Sequence, residues 1–281
     1  MTTLITGGGS TVGSHLAQLL KTEGRNVLFA SRSGRVPEGF DSVKLEWDEP
    51  ATFHNPWTQR SLDIDSVYIV GPPADFNPLK QVGPFIDLAV TKGVKRFVYL
   101  SATEADKNND SGGLGQVPGY LEERGLDYVV LRPTWFIDNL GTQFAYKINQ
   151  FNLFETIVPT GRIPFVAAED IARVGAEFIV TKNAKYRDPV IIGPELLRYD
   201  EVAAILSDVI GRTVTHNAVS NEVFKDHLRG TFPEHLIDWL LEINTKAEGG
   251  SEEKYPHIKE KAVGKITVRE WVKQNKALFE P

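Results

Sequence analysis

The stretch "TLITGGGSTVGSHLAQLL", Thr3 to Leu20, passes from a short apolar run through a cluster of glycines into an amphipathic segment. Thr3 to Ile5 is β-rich, and Val12, Leu16, Leu19 and Leu20 recur at helical spacing. Strand, glycine turn and helix in that order is the setting of a dinucleotide-binding turn. Glycines serve three ends there: a tight exit from the strand, close approach of the backbone to a pyrophosphate, and packing of helix against sheet. Gly7 and Gly13 stand at the first and third places of a G-x-x-G-x-x-G spacing, and Ser10 takes the second, with Gly9 beside it. The Ser10 side chain either adds a hydrogen bond to phosphate or crowds the ligand. The plainer alternative is that the glycines only make a tight turn between strand and helix.

Further along, the same alternation repeats. "NVLFAS", "SVKLEW", "SVYIVG", "RFVYLSA" and "DYVVLRP" read as strands, and the segments ending at Gly24, Gly93 and Gly125 read as helices closed by glycine. Continuously apolar strands separated by helices imply an α/β fold, a doubly wound, Rossmann-like parallel sheet covered on both faces. Ligands of such sheets sit beyond the carboxyl ends of the strands. After Pro133 the texture becomes aromatic and less regular. "AAEDIARVGAEFIVT" and "YDEVAAILSDVIG" are helices, "DPVIIGP" is a late strand, and the remainder is mostly helical. The expected organisation is a dinucleotide-binding domain over residues 1–155 and a smaller, mostly helical substrate lobe over 156–281, interleaved with it.

Composition narrows the function. The chain has 281 residues, 41% hydrophobic and 24% charged, as in ordinary globular domains. With no cysteine there is no disulfide, thiolate metal site or cysteine nucleophile. A net charge of −6 argues against a nucleic-acid partner, and the basic "KGVKRF" at Lys92–Phe97 leads straight into a strand. No run reaches the roughly 20 apolar residues of a membrane span, so no membrane partner and a cytoplasmic location are expected. The six histidines show no paired ligand spacing and no G-x-S-x-G elbow occurs, so neither a metal nor hydrolase chemistry is expected.

The second strand ends in "FASRSGR". Where an NAD-specific domain carries an acidic residue for the ribose hydroxyls, Ser31 and Arg32 stand. A guanidinium suits a phosphate, which favours NADP(H) over NAD(H). The alternative for Arg32 is a surface charge.

On "ITGGGSTVG", "FASRS", "VYIVGPP", "RFVYLSA", "GLDYVVLRPTWFIDNL", "IPFVAAEDIARV" and "GPELLRYDEVAAILSDVIGR", the whole chain resembles the NmrA-like branch of atypical short-chain dehydrogenases. Within that branch it is most similar to the fungal ergot-alkaloid reductases. The resemblance implies cofactor contacts at Gly7, Ser10, Thr11, Val12, Gly13, Ser31, Arg32, Gly71, Pro72, Ser101 and Ala102, with Pro133 to Phe136 flanking the nicotinamide. The branch's usual glycine loop departs here at Ser10.

Ketone-reducing short-chain dehydrogenases carry Tyr-x-x-x-Lys, the lysine lowering the tyrosine pKa for proton transfer. Its nearest echo is taken to be "YLEER", Tyr120 to Arg124, and an arginine is no substitute for the lysine. A chain lacking the pair could still reduce an iminium, which carries its own positive charge and needs no general acid. Asp138, just past the sixth strand, is the second candidate acid, with Trp135 and Phe136 as aromatic walls of a pocket. The alternatives are a core-packing Tyr120, a capping Asp138 and aromatic residues that belong to the core.

The expectation is an NADP(H)-dependent reductase of an apolar, aromatic or alkaloid-like small molecule carrying an imine, iminium or conjugated carbonyl, in secondary metabolism. A redox-neutral isomerase or cyclase using Asp138 or Tyr120 is the second reading. A non-catalytic NADP redox sensor is the third.

Overall fold

Thr2–Thr6 is buried along its whole length, as a strand covered on both faces must be, and it forms β1 inside a parallel sheet. The computed structural model describes residues 1–58, 62–73, 75–103, 105–108, 113–181 and 183–280. In chain order β1 is followed by α1 (Thr11–Thr22), β2 (Asn26–Ser31), β3 (Asp41–Lys44), α2 (Asn55–Thr58), β4 (Ile64–Val70), α3 (Leu79–Thr91), β5 (Arg96–Leu100), α4 (Gln116–Glu123) and β6 (Asp127–Pro133). Then come α5 (Ala145–Phe151), β7 (Leu153–Thr156), α6 (Ala168–Thr181), β8 (Val190–Ile192), α7 (Tyr199–Ile210) and β9 (Thr215–Ala218). The chain closes with α8 (Asn221–Leu228), α9 (Glu234–Glu248), β10 (Lys261–Val263) and α10 (Val268–Gln274).

Two compact units divide these elements. The first holds Met1–Pro133 and Ala168–Val190, the second Thr134–Ala167 and Ile191–Pro281. The expected boundary at residue 155 falls inside the second unit. The chain leaves the first unit where β6 ends, and α6 comes back to it. Gly175 explains the return: a Cβ there would lie 3.4 Å from Leu131 and Val98 and 3.9 Å from Leu16, so α6 sits down closely on the sheet and on α1.

In the first unit six parallel strands run in the order β3-β2-β1-β4-β5-β6. The order reverses between β1 and β4, the topological switch point at which doubly wound sheets hold ligands. Apolar strand residues and α3 share one core in which Trp47, Phe53 and Phe85 meet edge to face at 5.5–5.8 Å. The third strand, expected to run to Trp47, ends at Lys44. The Glu46 N–H donates to the Thr52 hydroxyl at 2.9 Å and turns the chain off the sheet.

The second unit has its own core, built on Phe154, Phe165, Tyr199, Trp271 and Phe279. It contains a pair of parallel strands, β7 and β9, that join Phe154 to His216 in register and that the sequence pattern did not mark.

Candidate functional site

Beyond the carboxyl ends of β1 to β4 the first unit opens a cleft of about 560 Å³. Its floor is the glycine turn. Gly7 and Gly8 have φ of +80° and +50°, which side chains resist. A Cβ at Gly7 would come 2.8 Å from the Val70 Cβ, and one at Gly8 would come 2.7 Å from the Ser31 Oγ. The bare backbone of the turn therefore packs against the ends of β2 and β4. Thr6 fixes the β4 end from the other side: its hydroxyl donates to the Val70 carbonyl at 3.1 Å and accepts from the Val70 N–H at 2.8 Å.

Ser10 is the N-cap of α1. Its φ and ψ of −61° and 142° are extended, and its hydroxyl accepts from the Gly13 N–H at 3.3 Å. The side chain is thus turned onto the first turn of the helix. The room for it comes from Gly13, where a Cβ would meet the Ser10 Oγ at 2.6 Å. Thr11, exposed, and Val12, buried, follow in that first turn, where N–H groups have no intrahelical partner and the helix dipole favours an anion. Bare backbone at Gly7 to Gly9 and the adjoining helix N-terminus fit the pyrophosphate of a dinucleotide.

At one end of the cleft Ser31 closes β2, Arg32, Ser33 and Arg35 follow it, and Glu46 and Trp47 follow β3. Ser31 is buried, while the Arg32 side chain is 72% exposed, with Nε 3.8 Å from Glu46 Oε2. Arg35, Glu46 and Trp47 were missed by sequence reasoning. "SRSGR" carried a signal for Arg35 in its second arginine, whereas Glu46 and Trp47 were hidden in an apparent strand. Gly71 lines the cleft after β4. Pro72, Ser101, Ala102 and Pro133 stand at or just past the carboxyl ends of β4, β5 and β6, outside the cleft lining.

Tyr120 is placed elsewhere, and for a structural reason. Its hydroxyl donates to Asp87 Oδ1 at 2.7 Å, Arg124 pairs with the same carboxylate at 2.9 Å, and the guanidinium lies over the Tyr120 ring at 4.5 Å. This is a clasp between α3 and α4. Burial, reinforced by the Asp87 hydrogen bond, pushes the phenol up to about 12, away from acid-base use near neutrality.

The Tyr-x-x-x-Lys spacing does occur, at Tyr255 and Lys259, which corrects the expectation that the chain lacks it. Tyr255 lies in a 3-10 segment, Ser251–His257, that ends before an extended Ile258. Tyr255 is buried and Lys259 exposed, so the two do not share the helix face that lets a lysine tune a tyrosine.

Asp138, Trp135 and Phe136 belong to the second unit. Asp138 is buried in a 3-10 turn, Ile137–Leu140, and its carbonyl accepts from Gly141 and Thr142. Trp135 packs on the second core. Phe136 borders a gap of about 10 Å³ that also touches Phe144, Phe165 and Tyr199, room for about one water molecule.

Residues 64–271 match the model of the NmrA-like family. Festuclavine synthase I of Penicillium roqueforti is 35% identical over 81% of this chain and 80% of its own length. Agroclavine dehydrogenase of Claviceps purpurea is 33% identical over 90% of this chain and 89% of its own. Among solved structures, the triphenylmethane reductase of Citrobacter sp., complexed with NADP(H), superposes with a TM-score of 0.74 at 17% identity, covering 98% of this chain and 99% of that one. At that identity the likeness is one of fold.

Proposed function

The chain belongs to the NmrA-like family, and from that premise we propose that it is an NADP(H)-dependent reductase of an apolar, aromatic or alkaloid-like imine or iminium in secondary metabolism. The observation that carries this reading is the cleft at the switch point, where a bare glycine turn and a helix N-terminus lie at one place and Arg32 at another. The alkaloid enzymes among its relatives support the substrate class.

Gly7 to Gly9 and the first turn of α1 would hold the pyrophosphate, and Arg32 the phosphate on the adenosine ribose. A reduced nicotinamide held there would supply a hydride, a proton carrying two electrons, and an iminium cation that accepts it at carbon would become a neutral amine. For an iminium no side chain has to donate a proton in that step, which accords with a Tyr120 tied to Asp87; a neutral imine takes its proton from water before it accepts hydride. The residues act by orienting the two reactants.

Purified protein given NADPH and cyclic iminium substrates should consume NADPH in step with amine formation. NADPH that binds but is never consumed by any such substrate would favour the sensor. Turnover in cofactor-free protein, lost in Asp138→Asn, would favour the isomerase or cyclase.

A further inference from the structure

Arg32 faces a carboxylate as well as the cleft. At 3.8 Å its Nε is beyond hydrogen-bond reach of Glu46 Oε2, and with 72% of its side chain exposed the guanidinium is the loosely held partner of the pair. Glu46 is the fixed one. Its side chain is 19% exposed, and its backbone N–H donates to the Thr52 hydroxyl at 2.9 Å, whose own proton is shared between the carbonyls of Glu49 at 2.7 Å and Glu46 at 3.2 Å. Ser33 and Arg35 complete this end of the cleft, with the Arg35 Nε 3.4 Å from the Ser33 Oγ.

A carboxylate fixed beside the phosphate-binding arginine acts on the two nicotinamide dinucleotides in opposite directions. An adenosine ribose with free hydroxyls can donate a hydrogen bond to it, and a charge-assisted bond of that kind is among the stronger ones. A ribose carrying phosphate brings further negative charge towards it, and like charges repel in a partly desolvated site. The Arg32 guanidinium is shared between the carboxylate and the incoming phosphate.

We infer that Glu46 sets the cofactor choice of this cleft, weakening the preference for NADP(H) that Arg32 creates, so that the protein binds NAD(H) as well. The inference rests on the reading of the cleft as a dinucleotide site. It assigns to Glu46 a positioning and selecting role and no part in hydride transfer.

Direct binding tests it. Trp47 lines the cleft, so tryptophan fluorescence of the full chain is followed while NADPH or NADH is added, with calorimetry as a second readout. Wild type should bind both, with a preference for NADPH below about tenfold. Glu46→Gln should raise the NADPH:NADH affinity ratio by about tenfold, through tighter NADPH and weaker NADH. Arg32→Ala should invert the preference. Glu46→Asp keeps the charge but withdraws it by one methylene, and should fall between wild type and Glu46→Gln; it also serves if the glutamine variant folds poorly. An unchanged ratio in both Glu46 variants, with dinucleotide still bound, overturns the inference and leaves the reductase reading intact. Binding of neither dinucleotide by wild type overturns both.

Discussion

Ser10 stands where a dinucleotide turn usually has glycine, yet its hydroxyl is directed onto the Gly13 N–H as a helix cap. That makes its main energetic role a local one. Ser10→Ala is expected to lower stability by about 1 kcal/mol and Ser10→Gly by only a few tenths, the ordinary costs of losing such a cap, measured by denaturant unfolding. Because the side chain is turned onto α1, Ser10→Gly should not tighten NADPH binding; a gain in affinity would mean that the Cβ crowds the pyrophosphate after all. Tyr120→Phe tests the opposite assignment. It removes the hydrogen bond to Asp87 and should cost about 1 kcal/mol, while the rate of NADPH consumption stays that of wild type. A large fall in rate with stability intact would restore Tyr120 as a catalytic residue.

At the scale of elements, β7 and β9 meet around His216. Its Nε2 is 2.8 Å from the Thr156 Oγ1, and its ring lies 5.3 Å from those of Phe154 and Tyr199. Burial lowers the imidazole pKa below the ordinary 6.5, with Asp200 pulling more weakly the other way. The unfolded chain then takes up its proton at a higher pH than the folded one. Stability is therefore full above about pH 7, falls as pH drops through 6.5 to the lowered folded value, and levels off below it. His216→Gln should remove this part of the slope in denaturant unfolding between about pH 7 and pH 5; an unchanged slope would show that His216 does not titrate with folding. These short strands also show where sequence legibility ends. β2, β4 and β6 are continuous apolar runs covered on both faces, and such runs announce themselves. β7 and β9 have four residues each and pair across a long gap in sequence, so nothing local marks them. Glu46 was obscured for another reason: "SVKLEW" has the pattern of a strand throughout, and the hydroxyl of Thr52, six residues on, takes the chain off the sheet before it. Gly7 and Arg32, by contrast, were legible because a strand end and a glycine turn fix their places without reference to the rest of the chain.

For the molecule as a whole, every residue lining the cleft belongs to the first unit, so cofactor binding is a test of that unit's stability. A ligand that binds only the folded state contributes about 2.7 kcal/mol at a hundredfold excess over its Kd. For a unit of this size each kcal/mol moves the melting temperature by roughly 2–4 °C. NADPH at that excess should therefore raise the melting temperature of the first unit by about 5–10 °C. The chain carries a net charge of −6 and the proposed dinucleotide is an anion, so its attraction would come from the local arginines and the helix N-terminus and not from the general field. It follows that amide exchange should slow in the loops after β1, β2 and β4, where the backbone is exposed to the cleft. Arg32→Ala should reduce the NADPH-induced shift while leaving the melting temperature of the unliganded chain nearly unchanged, since its contact with Glu46 is loose and exposed. A full-sized shift in Arg32→Ala would place the phosphate on Arg35 instead, the other arginine lining this end of the cleft.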